Sequence, residues 1–299
     1  MDLQARLGQH LRSLIGPRDP YLNSGRHSLA QQYLRTELGR WGPVTSQGFC
    51  AQTLASNRLP SHLPNHLQGA GPSREYFNWQ TLSPGTRPEL APVIVGAHYD
   101  TVPGSPGADD NASGLAIMLT LAELMTLQPP RRSIHWVAFD LEEYGLVGSK
   151  TCAQSWRRAG RKIHLMLSLE MLGYFSSAPE SQQYPIKALG RIYPSRGNFT
   201  ALIGNGLTLP AMINLQRKLA RSGAPCCWLP VVNKGKFIPA TRRSDHAPFW
   251  DAGYPAILVT DTADLRNPHY HSASDQIETL DIAAMAKVTQ GLAMGLRSL

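Results

Sequence analysis

Short, wholly apolar runs alternate with helical stretches through the centre of the chain, and this alternation is the strongest constraint on its fold. Runs such as Val93-Ile94-Val95 and Ile257-Leu258-Val259 have no polar face, which is typical of strands covered by helices on both sides. The pattern predicts an α/β fold with a central mixed, largely parallel twisted sheet and helices on both faces. Four strands are predicted in this way, at Pro92–Ala97, Ile134–Phe139, Leu165–Leu169 and Ala256–Thr260.

Helices are predicted where apolar residues recur at helical spacing behind polar or glycine residues. The predicted helices are Leu3–Leu14, Ser28–Leu38, Ser113–Leu127, Ser149–Ala159 and Ile282–Leu296. We expect the first two to cover one face of the sheet. The stretch Ser56–Ser73 is rich in Pro, Asn, His, Gly and Ser, which predicts an irregular surface excursion. Apolar patterning resumes after it, so the 299 residues are predicted to form one domain, 1–299.

The composition argues against two classes of partner. The chain is basic, with 29 Lys and Arg against 21 Asp and Glu, but no zinc finger, RNA-binding signature or aromatic ladder accompanies its basic clusters, so nucleic acid is not expected. The sequence has no run of about 18 consecutive apolar residues, so no membrane-spanning helix is predicted. The four cysteines show no Cys-x-x-Cys spacing and no secretory signal is evident at the N-terminus, which together predict a reduced, cytoplasmic setting.

Residues of metal-ligating type appear where each buried strand ends. They are His98 and Asp100 after the first strand, Asp140, Glu142 and Glu143 after the second, Glu170 after the third and Asp261 after the fourth. In open α/β sheets, ligands bind outside the carboxyl ends of the strands, so these side chains are expected to converge. Carboxylates gathered in one crevice repel each other unless cations or hydrogen bonds hold them. A histidine among several carboxylates therefore predicts a divalent metal site.

Taken singly, these residues also have structural interpretations. An Asp at the end of a strand often caps a helix or forms a turn, and the segment 109–114 reads equally well as a helix cap made by Ser113 or Asp110. The adjacent pair Glu142-Glu143 favours catalysis, because one carboxylate can bind a metal while its neighbour takes a proton from a bound water. Asp275, near the C-terminus, could cap the final helix or orient a histidine.

From about Val93 to Leu280, these motifs resemble those of the M28 zinc peptidases in order and spacing. The resemblance implies the zinc-exopeptidase fold, which is phosphorylase/hydrolase-like, in a single catalytic domain. It also implies two Zn²⁺ ions, with Co²⁺ or Mn²⁺ as possible substitutes. The implied ligands are His98, Glu170 and Asp110 for one ion, and Asp110, Glu143 and His271 for the other.

The resemblance also assigns roles around the metals. Glu142 corresponds to the general base and Asp100 to the residue that supports the first histidine ligand. The second histidine falls on His271 and not on His269, because the family pattern reads Tyr-His-Ser/Thr followed shortly by Asp. The peptide bond that follows the bridging aspartate, Asp110, is commonly cis in this family.

Three residues are expected to bind substrate: Arg243, Asp245 and Tyr174. Ser244-Asp245-His246 matches a family segment that lines the pocket. Some relatives have a tyrosine shortly before this segment that steadies the oxyanion, and Arg243 is the candidate for that role here. Met171, Tyr174, Phe249 and Trp250 are expected pocket walls.

The implied reaction is metal-dependent removal of N-terminal amino acids from peptides, with a peptide as the partner and Glu142 as the base. Two alternatives remain open. One is a glutaminyl cyclase, which shares the fold but uses one zinc, and the other is a catalytically silent binding protein on the same fold. The sequence does not give the oligomeric state.

Overall fold

The four predicted strands lie side by side in the computed structural model, which describes residues 2–50 and 74–299. The expected excursion Ser56–Ser73 lies outside the described residues. The described strands are β1 (Thr45–Cys50), β2 (Glu75–Ser83), β3 (Val93–His98), β4 (Ile134–Phe139), β5 (Leu165–Glu170), β6 (Thr200–Asn205), β7 (Cys226–Val231) and β8 (Ala256–Thr260). They form one sheet in the order β1-β2-β4-β3-β5-β8-β6-β7.

The sheet is mixed, with a parallel centre, as predicted. Strand β3 pairs in parallel with β4 and β5, and β5 pairs in parallel with β8. The outer pairs β1–β2, β2–β4 and β6–β8 are antiparallel, whereas β6 and β7 are parallel. Because β4, β3 and β5 are neighbours that run the same way, their carboxyl ends lie together at one edge of the sheet.

Seven α-helices are described around this sheet: α1 (Leu3–Leu14), α2 (Ser24–Gly39), α3 (Gly114–Leu127), α4 (Val147–Arg158), α5 (Leu209–Arg221), α6 (His246–Asp251) and α7 (Ile282–Ser298). All five predicted helices are present, although α2 and α4 begin earlier than expected. Helices α5 and α6 are not among the predicted ones. In α5, the side chains of Met212, Leu215 and Leu219 are buried along one stripe, as in an amphipathic helix that covers a sheet.

The helices cover both faces, as predicted. Val93 and Val95 of β3 pack in the larger core together with side chains of α1, α2, α3, α5 and α7. Ile94, which points to the opposite face, packs in a second core that includes Trp156 of α4 and Phe249 of α6. The alternation follows from the period of two along a strand. The expectation that α1 and α2 share one face is confirmed.

All four cysteines lie within the described ranges and are unpaired. Among the helices that the structure describes, none combines the length and apolar character needed to cross a membrane.

Candidate metal centre

Asp110 lies between two histidines that come from distant parts of the chain. Its Oδ1 is 3.2 Å from Nε2 of His98, and its Oδ2 is 3.3 Å from Nε2 of His271. The two oxygens of one carboxylate therefore face two different imidazoles. This is the arrangement that a carboxylate bridging two metal ions requires.

Two groups of ligand atoms meet at this point. His98, Glu142 and Glu170 form one group, and Asp110, Glu143 and His271 form the other, each with its ligand atoms within 4.8 Å of one another. Nε2 of His98 is 3.3 Å from Oε1 of Glu170, and Nε2 of His271 is 3.1 Å from Oε2 of Glu143. The five predicted ligands and Glu142 are thus together at the carboxyl ends of β3, β4 and β5.

The donor set fits divalent cations. Oε1 of Glu143 is buried and has no hydrogen-bond partner among the described residues. A buried carboxylate oxygen without a partner is costly, and a cation would supply the missing interaction. Imidazole and carboxylate together are suitable ligands for zinc.

The proton affinities of these groups point the same way. Burial raises the pKa of Glu142 well above its ordinary value, although His98 lowers it. Burial and the nearby Asp110 raise the pKa of Glu143 to about 7. Burial lowers the pKa of His271, but hydrogen bonds with Asp110 and Glu143 prevail and raise it to about 10. Raised pKa values mean that these carboxylates and imidazoles favour binding protons when no cation is present. Bound metal ions would replace those protons.

Asp100 holds the loop that carries the paired glutamates. Its carboxylate accepts hydrogen bonds from the backbone N–H groups of Glu142 and Glu143, both at 3.1 Å. Its Oδ1 is also 3.4 Å from Nδ1 of His98, whose Nε2 faces the metal ligands. Asp100 is fully buried, and its backbone carbonyl also lies 3.1 Å from Nδ1 of His98, so it contacts both His98 and the loop that carries Glu142 and Glu143.

The segment Ala108–Ser113 leads into α3 as a kinked turn with non-helical backbone angles at Asp110 and Asn111, and the bond between these two residues is cis. The alternative interpretation of this segment as a side-chain helix cap is not found, because Ser113, the residue at the cap position of α3, makes no side-chain cap hydrogen bond. The N–H of Gly114, the first residue of α3, donates to Oδ1 of Asn111 at 3.2 Å, whereas the hydroxyl of Ser113 donates to the carbonyl of Asp109. The Asp110 side chain is thereby left to face the two histidines.

Asp275 does neither of the two things expected of it. Its carboxylate accepts the backbone N–H groups of Asp109 at 2.8 Å and Asp110 at 3.1 Å. The cap of α7 is Asp281, whose carboxylate accepts the N–H of Ala284 at 2.8 Å. Asp275 therefore holds the backbone of Asp110.

Two of the strand-end acids are used for structure. Asp140 accepts hydrogen bonds from His27 at 2.8 Å and from the Tyr99 hydroxyl at 2.6 Å. Asp261 accepts the backbone N–H groups of Tyr174 and Ala263, at 3.2 and 2.8 Å. Their carboxylates are satisfied within the protein, which is the alternative that was open for each acid taken singly.

A cavity of about 990 Å³, including solvent at its mouth, opens beside the ligands. One end is lined by the carboxylates of Asp110, Glu142, Glu143 and Glu170. The rest of the wall is mostly apolar and includes Met171, Ile203, Trp228, Leu229 and Leu258. The candidate metal ligands thus lie at the polar end of an apolar pocket, as in many small-molecule sites.

Of the three residues expected to bind substrate, one lines the cavity and two do not. Arg243 lines the cavity, and its guanidinium donates to Asp264 and to the Tyr270 hydroxyl, both at 2.9 Å. Asp245 and Tyr174 are not among the lining residues. Asp245 is fully buried, and the Tyr174 ring lies edge-on to His269 at 6.0 Å.

Three of the four expected pocket walls, Tyr174, Phe249 and Trp250, do not line the cavity. Phe249 and Trp250 belong to the core on the α4 and α6 side of the sheet, because α6 turns both side chains inward. Met171, in contrast, does line the cavity.

Tyr270 is a lining residue that was not predicted. Its ring stacks on that of His271, with centroids 3.7 Å apart, and its hydroxyl accepts the bond from Arg243. The Tyr270-His271-Ser272 triplet could have indicated Tyr270 as a site residue, but it was used only to choose between His269 and His271. The structure brings His271 to Asp110, whereas Nδ1 of His269 lies 2.8 Å from the Ser274 hydroxyl.

Comparison with known proteins identifies relatives. The uncharacterized protein YfbL of Escherichia coli (strain K12) is 38% identical over 210 residues, which cover 67% of this chain and 64% of that protein. Leucine aminopeptidase 1 of Fusarium vanettenii is 29% identical over 225 residues, covering 67% of this chain and 50% of that protein. The chain therefore spans between half and two thirds of the length of these relatives.

Two solved structures share the fold. A leucine aminopeptidase precursor from Bacteroides thetaiotaomicron has a TM-score of 0.67 at 17% identity, covering 99% of this chain and 96% of its own. A glutaminyl cyclase from Fimbriiglobus ruber has a TM-score of 0.67 at 20% identity, covering 100% and 96%. At such identities the likeness shows the fold alone.

A family model gives the more specific result. The model of peptidase family M28 matches residues 80–201 and 208–295. These ranges contain every residue of the metal centre described above. The chain belongs to peptidase family M28.

Proposed function

We propose that this protein is a metal-dependent exopeptidase that removes N-terminal amino acids from peptides, using two zinc ions and Glu142 as general base. The observation that carries the proposal is the placement of Asp110, with one carboxylate oxygen toward His98 and the other toward His271. A carboxylate so placed can bind two cations at once.

The residues present would hold the ions in two sets. His98, Glu170 and Asp110 would hold one, and Asp110, Glu143 and His271 the other. Zinc bound there would polarise the scissile carbonyl and make a bound water acidic, and Co²⁺ or Mn²⁺ would be possible substitutes.

Glu142 is suited to move the proton. Its carboxylate lies with the imidazole of His98 and the carboxylate of Glu170 in one group, it lines the cavity, and Asp100 accepts its backbone N–H. A carboxylate in that position can accept a proton from the attacking water and return it to the leaving amine. Arg243, on the same cavity wall, is our candidate for holding substrate near the scissile carbonyl, together with its neighbour Tyr270.

The cavity supports a peptide with a free N-terminus as the substrate. Its carboxylate end favours the cationic α-amine, whereas its apolar wall, which includes Ile203, Trp228 and Leu258, favours an apolar first side chain. A blocked N-terminus would lose the charge interaction. The cytoplasmic setting stays a prediction.

The proposal is tested with purified protein, as isolated and after chelation, on matched unblocked and N-acetylated peptides. We expect release of free amino acid from unblocked peptides only, in a metal-dependent way and with two ions bound per chain. Glu142→Gln should retain both ions and lose activity by a factor of at least about 10³. No release from any peptide by the metal-loaded protein would overturn the proposal.

Glutaminyl cyclase activity is the second candidate, because a cyclase shares this fold over 96% of its chain, with the same TM-score of 0.67 as the leucine aminopeptidase precursor. The same assay separates the two when a peptide with N-terminal Gln is included. A cyclase would convert it to a pyroglutamyl peptide with one ion bound and would release no amino acid. Absence of both products together with absence of bound metal would indicate a silent binding protein.

A further inference from the structure

The segment between β5 and β6, residues 173–198, forms a roof over the apolar part of the cavity. Tyr184, Leu189 and Tyr193 of this roof segment line the cavity. Two backbone hydrogen bonds close the segment on itself, from Ser176 to Gly197 at 2.9 Å and from Gln182 to Ser195 at 3.0 Å. The roof is thus a compact loop whose position decides how much space remains beneath it.

The far side of the roof is tied to the sheet. The hydroxyl of Tyr193 donates to the carbonyl of Trp228 in β7 at 2.8 Å. The base of the roof is held from the loop that follows β8: Asp261 accepts the N–H of Tyr174 at 3.2 Å, Leu265 accepts the N–H of Gln183 at 2.7 Å, and one long side chain packs against the segment.

That side chain is Arg266, which is 6% exposed. Its guanidinium lies over two rings, 5.8 Å from the centroid of Phe175 and 4.7 Å from that of Phe199. These residues lie at the start of the roof segment and just beyond its end. Its Nε also donates to Oε1 of Gln182 at 3.0 Å, so one guanidinium contacts both ends of the roof and its interior.

The contact with the roof is close. A Cβ atom built on Gly197 would lie 2.7 Å from Cγ, Cδ and Nε of Arg266. A side chain at position 197 would therefore have to displace the guanidinium or the roof. The backbone of the roof packs directly on the stem of Arg266.

Arg266 is linked to the cavity through its neighbours. It does not line the cavity itself, but Gln182 and Phe199 do. Nε2 of Gln182 donates to the hydroxyl of Thr262 at 2.9 Å, and Thr262 also lines the cavity. Movement of the guanidinium would therefore move two lining residues.

We propose that Arg266 is a positioning residue that fixes the roof segment over the cavity and thereby determines which sizes of N-terminal side chain are accepted. The inference rests on the proposed exopeptidase function. A planar guanidinium can stack on rings and donate hydrogen bonds in fixed directions at the same time, and neither an ammonium nor an apolar chain can do both. The metal ligands have no hydrogen bond with Arg266 among the described residues, so its effect should fall on substrate binding and not on the chemical step.

The test uses Arg266→Met, Arg266→Lys and the gentler Gly197→Ala, with Arg217→Met on the exposed side of α5 as the matched control. The roof contains three exposed trypsin sites, at Lys187, Arg191 and Arg196. Cleavage at these sites by trypsin is followed by mass spectrometry and does not depend on peptidase activity. In parallel, kcat and KM are measured for the amides of Ala, Leu and Phe.

We expect cleavage in the roof to be about tenfold faster in both Arg266 variants than in the wild type and the control. The ratio of kcat/KM for Phe to that for Ala should fall about fivefold or more, mainly through KM for Phe. Gly197→Ala should shift both quantities in the same direction, and it provides the test if the Arg266 variants do not fold.

The inference is overturned if a folded variant with wild-type metal content shows roof cleavage within about twofold of the wild type. It is also overturned if the Phe-to-Ala ratio is unchanged while roof cleavage increases. If the wild-type protein hydrolyses no amide, the exopeptidase proposal is contradicted instead. The comparison of trypsin cleavage between variants would still show whether Arg266 fixes the roof.

Discussion

The carboxylate of Asp275 accepts the backbone N–H of Asp110 at 3.1 Å. Asp275 lies on the same loop as His271, four residues further along the chain. Asp110 faces the same histidine with its own carboxylate. The C-terminal loop therefore supplies one predicted ligand and also holds the backbone of the ligand that is shared by both predicted ions.

Replacing Asp275 with Ala should weaken metal binding. The N–H groups of Asp109 and Asp110 would lose their acceptor, so the bridging carboxylate would be less well oriented. Loss of such a supporting residue typically reduces metal affinity by about 10–100-fold. The affinity is measured by competition with a chromogenic chelator, with Asp281→Ala as the control, because the Asp281 carboxylate caps α7 by accepting the N–H of Ala284. Equal metal affinity in the two variants would contradict the role given to Asp275.

Replacing His271 with Gln should remove one of the two predicted ions. The second set would keep only Asp110 and Glu143, whereas the set around His98 and Glu170 would remain intact. We expect about one zinc per chain instead of two, measured by atomic emission after gel filtration. His269→Gln is the matched control, because its ring nitrogen lies beside Ser274 and not at Asp110. Loss of an ion from the control but not from His271→Gln would show that the ligand was chosen wrongly.

Replacing Asn111 with Ala should lower the stability of the protein. The Asn111 side chain donates to the carbonyl of Leu169 at 2.9 Å and accepts the N–H groups of Met171 and Gly114 at 3.1 and 3.2 Å. Three buried backbone groups would lose a partner, at about 1–3 kcal/mol each. Since the three losses share one relaxed site, we expect the free energy of unfolding to fall by about 3–5 kcal/mol.

The effect is measured by urea unfolding of the chelated protein. The control is Asn214→Ala, which removes an exposed hydrogen bond to Ser298 and should cost less than about 0.5 kcal/mol. A loss of similar size in the two variants would contradict the account of Asn111.

The centre of the fold could be predicted because its strands are buried on both faces and therefore read as continuous apolar runs. The outer strands could not be predicted in this way. β1 reads Thr-Ser-Gln-Gly-Phe-Cys and is largely exposed, and β7 contains Pro230, which is unusual except at a sheet edge. Their place is set by pairing with neighbours and not by their own composition.

The candidate site shows a similar division. The rule that ligands bind at the carboxyl ends of the strands selected His98, Glu143 and Glu170, but it also selected Asp140 and Asp261. A sequence cannot distinguish a carboxylate that faces a cavity from one that is satisfied by a buried Tyr or by backbone N–H groups, because the distinction depends on partners far away along the chain. The family resemblance removed this ambiguity for the ligands, whereas the roles of Asp275 and Arg266 required the three-dimensional arrangement.

Stability should fall on acidification because of His10. Burial in the contact between α1 and α2, together with Arg6 and Arg40, lowers the pKa of His10 from 6.5 to about 3. The ring accepts or donates one hydrogen bond, at 2.8 Å, with the Tyr33 hydroxyl. In the unfolded chain the histidine regains its ordinary pKa, so below about pH 6.5 the unfolded state binds a proton that the folded state does not. The free energy of unfolding should therefore fall as the pH decreases from about 6.5 toward 3, by up to about 1.4 kcal/mol per pH unit from this group.

The contribution of His10 is isolated by comparing variants at pH 7 and pH 5 in the presence of chelator, so that metal release does not add to the pH dependence. His10→Asn removes the titrating group and should reduce the loss of unfolding free energy between the two pH values by about 1–2 kcal/mol. Tyr33→Phe removes the same hydrogen bond but keeps the histidine, and should retain the full acid sensitivity. If His10→Asn loses as much stability on acidification as the wild type, then His10 takes up its proton in the folded state, and the contact between α1 and α2 must open to water well above pH 5.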